Sequence, residues 1–443
     1  MKNSIKKISA AVVLLMLLSS TLVAQKTEPV LTQGEKQTVI DSISSKLNST
    51  YVFPETAKNM ADKLKTNLKA GDYAGISDPQ AFATRLTDDL QGVSKDKHIN
   101  VRFDPEGIAE RQQAVTPADS IAFRNRYIAG MKRNNFGFKE IKILGGNIGY
   151  LDLRNFSDVS YGGETAVAAM NFLSSADAII IDLRYNGGGS PSMIQLISSY
   201  LFGPEAVHLN NFYWRPTDSN SQTWTLPHVS GNRSADTPVY VLTSNRTFSA
   251  AEEFSYNLKN LKRATLVGET TGGGAHPGGT VIATDRFTVW VPTGRAINPI
   301  TNTNWEGTGV SPHIEVKAED ALTVAHMKAL ETFAAKNKGT ELESFYSWPI
   351  AALKAKHNPL KLEESKLKSY VGVYGPRVIT FENGKLFYQR DEGTKYELLP
   401  YSDSEFMLIG LDYFRVKFLS ENNKVTAIEG HYDSGRVDKN LKG

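Results

Sequence analysis

The stretch TPVYVLTSNRTFSAAEEFSYNLKN, residues 237–260, contains the unit on which the fold prediction rests. The run VYVLT is continuously apolar and has the length of a buried strand. The run SAAEEFSYNLKN is predicted to be a helix that begins at Ser249, because serine is a preferred first cap residue. A short polar loop joins the two. The stretch therefore predicts one strand-to-helix step of an α/β fold.

The same alternation continues on both sides of this stretch. Apolar runs are found at IGYLDL (148–153), AIIIDLR (178–184) and ATLVGE (264–269), with predicted helices between them. Buried strands that alternate with helices are typical of a parallel-rich sheet covered on both faces. The predicted fold class is therefore α/β, with an N-terminal helical bundle before the core and a small all-β, barrel-like module after it.

Changes in pattern along the 443 residues divide the chain into five predicted segments. The helical part shows three- and four-residue apolar spacing, and the last part shows short strand runs separated by turn residues. The segments are a signal peptide (1–24), an N-terminal helical domain (25–105), the α/β core (106–320), a helical connector (321–361) and a C-terminal β-module (362–443).

The first residues have the pattern of a secretory signal peptide. MKNSIKK is basic, AAVVLLMLLSSTLVA is apolar, and a small-residue cleavage point follows Ala24. A retained membrane anchor is the alternative, but the apolar stretch is short for a span. Since the chain has no cysteine, it can form no disulfide and carry no lipid on a thiol. We expect a periplasmic or secreted protein.

The charge balance gives no support for a nucleic-acid or membrane partner. Cleavage would remove three lysines and lower Lys+Arg from 50 to 47, which equals the 47 Asp+Glu. A formally neutral chain gives no net-charge argument for binding nucleic acid or an anionic membrane. We therefore predict no nucleic-acid partner and no stable membrane insertion after cleavage.

The loop NGGGS, residues 186–190, follows a predicted buried strand. Glycines permit close backbone approach, so the N–H groups of Gly187 and Gly188 could converge on an oxyanion. A tight strand-to-helix turn explains the same residues without any function. A phosphate site is a weak third interpretation, because the P-loop spacing and its lysine are missing.

Ser249 also has two interpretations. Glu252 lies three residues later and completes a capping box, so the serine could serve only the helix. A serine at this place would also lie at the carboxyl edge of a parallel sheet, where active sites of α/β proteins form. Helix N-terminal amides there would stabilise an oxyanion.

A nucleophilic serine needs a base and a group that orients the base. His98 opens the predicted strand INVRF, and His276 lies in the glycine-rich stretch GETTGGGAHPGG. The other histidines fall in a predicted surface excursion, on the connector or in the β-module. Glu306, in NWEGTG, is a candidate acid, although a lone glutamate is usually solvated.

Taken together, these stretches resemble the tail-specific, or C-terminal-processing, serine peptidases, on the branch of the tricorn protease core and the interphotoreceptor retinoid-binding protein. The resemblance implies a ClpP/crotonase-like core without a PDZ domain, since only about fifty residues separate His98 from Gly149. It implies that Ser249 is the nucleophile, His98 the base and Glu306 the supporting acid. Ala250, Gly187 and Gly188 would supply oxyanion amides.

Two positions depart from the family pattern. The Ser-Lys branch has its lysine base where this chain has Gly274, which favours the histidine mechanism. The tricorn-like branch has a relay serine before the histidine, where this chain has Lys97. His276 is the second candidate base.

The predicted function is an exported serine endopeptidase that acts on polypeptides without a cofactor or metal ion. Two alternatives stay open: a carrier of an apolar ligand on the same fold, and a serine hydrolase of non-peptide esters or amides. The oligomeric state is not predicted.

Overall fold

The computed structural model describes residues 30–113 and 116–443. The predicted signal peptide, residues 1–24, lies outside the described residues. Within the described ranges, none of the helices combines the length and hydropathy that a membrane span requires.

Eleven helices are found in the described residues, and several begin with the signals seen in the sequence. Proline occupies the first turn of α2 and α3, and Asp78 caps α3 by accepting the Ala81 N–H. The helices are α1 (Gln33–Thr50), α2 (Pro54–Ala70), α3 (Pro79–Ser94), α4 (Pro105–Gln113), α5 (Pro117–Arg133), α6 (Val159–Leu173), α7 (Pro191–Leu201), α8 (Ala250–Asn260), α9 (Ala321–Lys336), α10 (Glu341–His357) and α11 (Glu364–Ser369).

Twenty strands form four sheets in the same part of the chain. They are β1 (Asn100–Phe103), β2 (Phe138–Leu144), β3 (Ile148–Leu153), β4 (Ala178–Asp182), β5 (His208–Trp214), β6 (Ser219–Trp224), β7 (Val239–Thr243), β8 (Ala264–Gly268), β9 (Gly278–Ile282), β10 (Phe287–Pro292), β11 (Gly294–Ile297), β12 (Ile314–Glu315), β13 (Gly372–Tyr374), β14 (Arg377–Glu382), β15 (Lys385–Arg390), β16 (Lys395–Pro400), β17 (Glu405–Leu408), β18 (Leu411–Glu421), β19 (Lys424–Tyr432) and β20 (Val437–Leu441).

The central sheet has six strands in the order β12-β8-β7-β4-β3-β2, and all neighbours are parallel except β2 with β3. Successive residues of β4 face opposite sides of this sheet. Ile179 and Ile181 pack in the cluster that contains residues of α6, α7 and α8, while Ile180 packs in the cluster with α9 and α10. Both faces are thus covered, as continuous apolar strands require. The predicted α/β class is confirmed.

The N-terminal helices share their hydrophobic core with a second sheet, β1-β10-β9. Side chains of α1, α2 and α3 pack together with Phe287, Val289 and Val291 of β10. The Val52 N–H also donates to the Pro292 carbonyl at 2.9 Å. This packing places the segment between α3 and β1, which contains His98, beside the α/β core.

The remaining strands form two antiparallel sheets. One contains the hairpin of β5 and β6, in which β5 also pairs with β11. The C-terminal module is an eight-stranded antiparallel sheet in sequential order from β13 to β20. The Gly443 N–H donates to the Val373 carbonyl at 2.9 Å, so the chain end reaches the first strand and the sheet is nearly closed. The predicted barrel-like module is confirmed.

Candidate active site

Ser249 lies between the carboxyl end of β7 and the first residue of α8. It has φ 56° and ψ −121°, a backbone conformation that residues other than glycine rarely adopt. Such strain persists only where surrounding contacts fix it, and it clusters at functional sites. The Glu252 N–H donates to the Ser249 carbonyl at 2.8 Å, so the serine backbone opens the helix.

Glu252 fixes the strained segment. It occupies the second position of the predicted capping box and accepts the Ser249 N–H at 2.8 Å. Its fully buried carboxylate also accepts the N–H groups of Gly273 and Gly274 and the hydroxyl of Thr271, at 2.6, 2.9 and 2.5 Å. Burial raises the pKa of Glu252, and these four donors oppose the rise. One carboxylate thus ties Ser249 to the glycine-rich loop before β9.

The NGGG loop packs directly against Ser249. A Cβ on Gly188, whose φ is 113°, would lie 2.8 Å from the Ser249 Cβ and 3.0 Å from the Ala250 nitrogen. The Gly188 N–H donates to the side chain of Asn186 at 2.9 Å. In the described residues, no hydrogen bond engages the N–H groups of Gly187 and Ala250. Of the three predicted oxyanion amides, the one of Gly188 is thus already engaged by Asn186.

His98 lines the same cavity as Ser249. The cavity has a volume of about 600 Å³ and also exposes Gly187, Trp214 and Trp290. The imidazole is 9% exposed and stacks at a tilt on Phe248, with ring centroids 4.7 Å apart. Burial lowers the pKa of His98 to about 4, although Asp96 opposes this shift. The ring is therefore neutral at neutral pH, the state that a general base needs.

The carboxylate beside His98 belongs to Asp96. The Asp96 Oδ1 accepts the backbone N–H of His98 at 3.0 Å and lies 3.7 Å from its Nδ1. Within residues 30–113 and 116–443, neither ring nitrogen of His98 has a hydrogen-bond partner. Asp96 is 1% exposed, and burial together with this carboxylate raises the pKa of the Tyr51 hydroxyl, which donates to it at 3.3 Å. Asp96 thus faces the base from the side opposite Nε2.

Glu306 contacts the other candidate histidine. Its Oε2 lies 3.3 Å from the His276 Nδ1 and accepts the Ala275 N–H at 2.5 Å. His276 Nδ1 also lies 2.8 Å from the Asp96 Oδ2. Burial, with a further contribution from the charge of Asp96, raises the pKa of Glu306 to about 7. In residues 30–113 and 116–443, no hydrogen bond or ion pair joins Glu306 to His98.

The same three residues have the spacing of a metal site. Asp96, His276 and Glu306 each offer one ligand atom, and these atoms lie within 4.8 Å of one another. The direct contacts of 2.8 and 3.3 Å also account for the cluster as a set of hydrogen bonds. The sequence predicts no metal here.

The structure therefore brings together some of the predicted site residues and not others. Ser249, Gly187 and His98 line one cavity. Glu306 and His276 are not among the residues that line it, and they contact each other. Lys97, at the relay position, points elsewhere, and its ammonium donates to the Gly272 carbonyl at 2.5 Å.

Sequence reasoning missed Asp96 altogether and saw Glu252 only as a cap. The available signal for Asp96 was its place two residues before the candidate base. For Glu252 it was an acidic residue three positions after a predicted active-site serine.

Two family models match the chain. Residues 147–316 match peptidase family S41, and residues 25–125 match the N-terminal domain of peptidase S41 in eukaryotic IRBP. The two matches together cover more than half of the chain. The chain belongs to peptidase family S41. Between β1 and β3, the described residues form two helices, one short turn of 3-10 helix and one strand, and contain no PDZ domain.

A carboxyl-terminal-processing protease of Synechocystis sp. is 32% identical to this chain over 133 residues. The aligned part is 29% of this chain and 29% of that protein, so the chain matches less than a third of this relative's length.

Three solved structures show partial likeness. A putative S41 protease from Bacteroides fragilis is 23% identical, with a TM-score of 0.38, over 50% of this chain and 58% of that one. A putative peptidase from Parabacteroides merdae is 20% identical, with a TM-score of 0.44, over 64% and 90% of the two chains. The tricorn protease is 14% identical, with a TM-score of 0.41, over 66% and 35%.

Proposed function

We propose that this chain is an exported serine endopeptidase in which Ser249 is the nucleophile and His98 the general base. One observation carries the proposal: a strained serine at a helix N-terminus and a neutral, buried histidine line one cavity, and the amides beside the serine are free. Family membership supports the reaction class. The predicted signal peptide supports export to the periplasm or outside the cell.

The reaction is acyl transfer. His98 takes the proton from the Ser249 hydroxyl while the serine oxygen attacks the carbonyl carbon of a peptide bond. The amides of Ala250 and Gly187 bind the resulting oxyanion. The histidine then gives its proton to the leaving amine, and a water molecule, deprotonated by the same base, hydrolyses the acyl-enzyme. Glu306 supports the base from behind without direct contact.

Fluorophosphonate labelling, together with digestion of a peptide library, tests this proposal. We expect wild type to be labelled and to cleave peptides, and Ser249→Ala to do neither. Ser255→Ala is the matched control, since Ser255 lies on the same helix and its hydroxyl only bonds the Ala251 carbonyl. Labelling of Ser249→Ala at the wild-type rate would contradict the assignment of the nucleophile.

The second candidate function, binding of an apolar ligand, is favoured by a different cavity. It has a volume of about 1070 Å³, lies between α10 and the β-module, and is lined by Phe345, Trp348, Leu353 and Tyr413 among others. Apolar walls with a few polar groups are typical of small-molecule sites. The carrier function is favoured if wild type is not labelled by fluorophosphonate and a long-chain fatty acid quenches its tryptophan fluorescence.

The same library experiment separates peptidase from non-peptide hydrolase. If Ser249 is labelled and simple esters are hydrolysed but no library peptide is cleaved, the result favours an ester or amide hydrolase.

A further inference from the structure

The cluster of Asp96, His276 and Glu306 lies directly behind the candidate base. Its side chains are 1%, 6% and 17% exposed. The histidine Nδ1 faces both carboxylates, at 2.8 Å from the Asp96 Oδ2 and 3.3 Å from the Glu306 Oε2. Burying charged groups costs free energy unless each has a partner. The side chains of this cluster therefore depend on their contacts with one another.

We propose, resting on the proposed peptidase function, that Asp96 is the carboxylate that orients His98, and that His276 is a positioning residue which holds Asp96 and connects it to Glu306. The connection runs from Glu306 through His276 and Asp96 to His98. Lys97 takes no part in it.

The first step of the argument concerns Asp96 and His98. The two oxygens of Asp96 face different partners: Oδ1 binds the His98 backbone N–H and lies near Nδ1, while Oδ2 faces His276 and the Tyr51 hydroxyl. A carboxylate near Nδ1 favours the tautomer with the proton on that nitrogen. Nε2, on the opposite side of the ring, is then the free base. When it takes the Ser249 proton, the negative Asp96 stabilises the imidazolium.

The second step concerns what holds Asp96. The Asp96 Oδ1 lies 3.7 Å from the His98 Nδ1, which is longer than a hydrogen bond. A small rotation of the carboxylate therefore decides whether this hydrogen bond forms. An N–H at the His276 Nδ1 limits that rotation by donating to Oδ2. The ring of His276 is itself fixed, since it meets Phe53 edge to face at 5.2 Å between centroids. The position of His276 therefore sets the position of Asp96.

The third step concerns Glu306. Its Oε2 accepts the Ala275 N–H and faces the same His276 nitrogen. Glu306 therefore holds the glycine-rich loop through one backbone contact and one side-chain contact. Glu306 thereby acts on the base through His276.

The groups around His98 that carry or gain charge are few. Asp96 and Lys97 lie on its own segment, and the Lys97 ammonium is directed at Gly272. From the glycine-rich loop, His276 faces it; from the β7–α8 segment, Phe248 and Ser249 do. Among the described groups, Asp96 is thus the negative charge next to the ring.

Two isopolar substitutions of His276 test the positioning. His276→Asn keeps an N–H close to the place of Nδ1, whereas His276→Gln keeps one close to the place of Nε2. The measurement is the second-order rate constant for labelling of Ser249 by a fluorophosphonate, between pH 5 and 9, with melting temperatures to confirm folding. We expect the Asn variant to react within about threefold of wild type and the Gln variant about tenfold or more slowly. We expect Asp96→Asn to react about 100-fold or more slowly, in the direction known for such carboxylates.

Equal rates for the two His276 variants, whether both high or both low, would overturn the positioning of Asp96 by His276. A wild-type rate for Asp96→Asn would overturn its assignment as the orienting carboxylate. Failure of the peptidase proposal itself looks different: Ser249→Ala would then be labelled like wild type, or wild type would not be labelled at all.

Discussion

The backbone N–H of Ser249 donates to the carboxylate of Glu252 at 2.8 Å, and the same carboxylate accepts two amides of the loop that ends at β9. The strained serine and the glycine-rich loop are therefore held by one buried side chain. A residue that sequence alone assigns to helix capping joins two segments of the candidate site.

Replacing Glu252 by glutamine should destabilise the fold. A glutamine offers one acceptor oxygen and turns an NH₂ group toward the other donors, so two of the four donors lose their partner. We expect the free energy of unfolding to fall by about 2–4 kcal/mol in urea denaturation.

Glu253→Gln is the matched control for that substitution. Glu253 is equally buried, but burial raises its pKa to about 7, so at pH 6 it is mostly protonated and resembles glutamine. We expect a loss below about 1 kcal/mol at pH 6. Equal losses for both variants would contradict the structural function of Glu252.

Gly188→Ala should disable the nucleophile. Its φ of 113° strains any side chain, and the new Cβ would meet the Ser249 Cβ at 2.8 Å. We expect fluorophosphonate labelling to slow by about 100-fold or more, since serine and oxyanion amides are both displaced. Gly92→Ala, in α3 where a Cβ meets nothing within 4 Å, should instead stabilise the protein by about 0.5–1 kcal/mol. Labelling of Gly188→Ala at the wild-type rate would contradict the packing.

Gly274, where the Ser-Lys branch has its base, should not accept a lysine. A Cβ there would lie 2.3 Å from the Phe248 Cζ and 2.7 Å from the His98 Cε1. We predict that Gly274→Ala and Gly274→Lys both slow labelling about tenfold or more, because the base is pushed aside. Gly279→Ala, with nothing within 4 Å of the new Cβ, serves as control. A Gly274→Lys variant as fast as wild type would contradict the predicted displacement of His98.

The fold could be predicted where local pattern decides structure. The strands β3, β4, β7 and β8 are continuous apolar runs, and buried strands of this kind are visible without any partner. The strand β9 was not predicted, because its sequence GGTVI starts with two glycines and is stabilised by pairing with β10 rather than by propensity.

In the candidate site, only residues whose type and position indicate a chemical function could be predicted from the sequence. Ser249, the glycine loop and His98 stand out by type and place. Asp96 does not, because a lone aspartate between lysines is typical of solvated surface. Its burial comes from His276, 180 residues away along the chain, and from Tyr51, and contacts of that range leave no local signal.

The last prediction concerns pH. The pKa of His98 is about 4 in the folded chain, against an ordinary value of 6.5, because burial disfavours the charged ring. Between pH 4 and 6.5 the unfolded chain therefore binds the His98 proton more readily than the folded chain does. The contribution of His98 to the free energy of unfolding is complete above pH 6.5 and is lost as the pH falls to 4.

His98→Gln removes this titration. The stability of wild type relative to the variant should rise between pH 4 and 6.5 by up to about 3 kcal/mol and stay level above pH 6.5. Urea denaturation at pH 4.5, 5.5, 6.5 and 7.5 measures it. Glu306→Gln is the control of opposite sign, because the pKa of Glu306 is raised to about 7. Its group stabilises the fold below pH 4.5 and loses that effect as the pH rises through 7. A pH-independent difference between wild type and His98→Gln would mean that the histidine is not held neutral by burial.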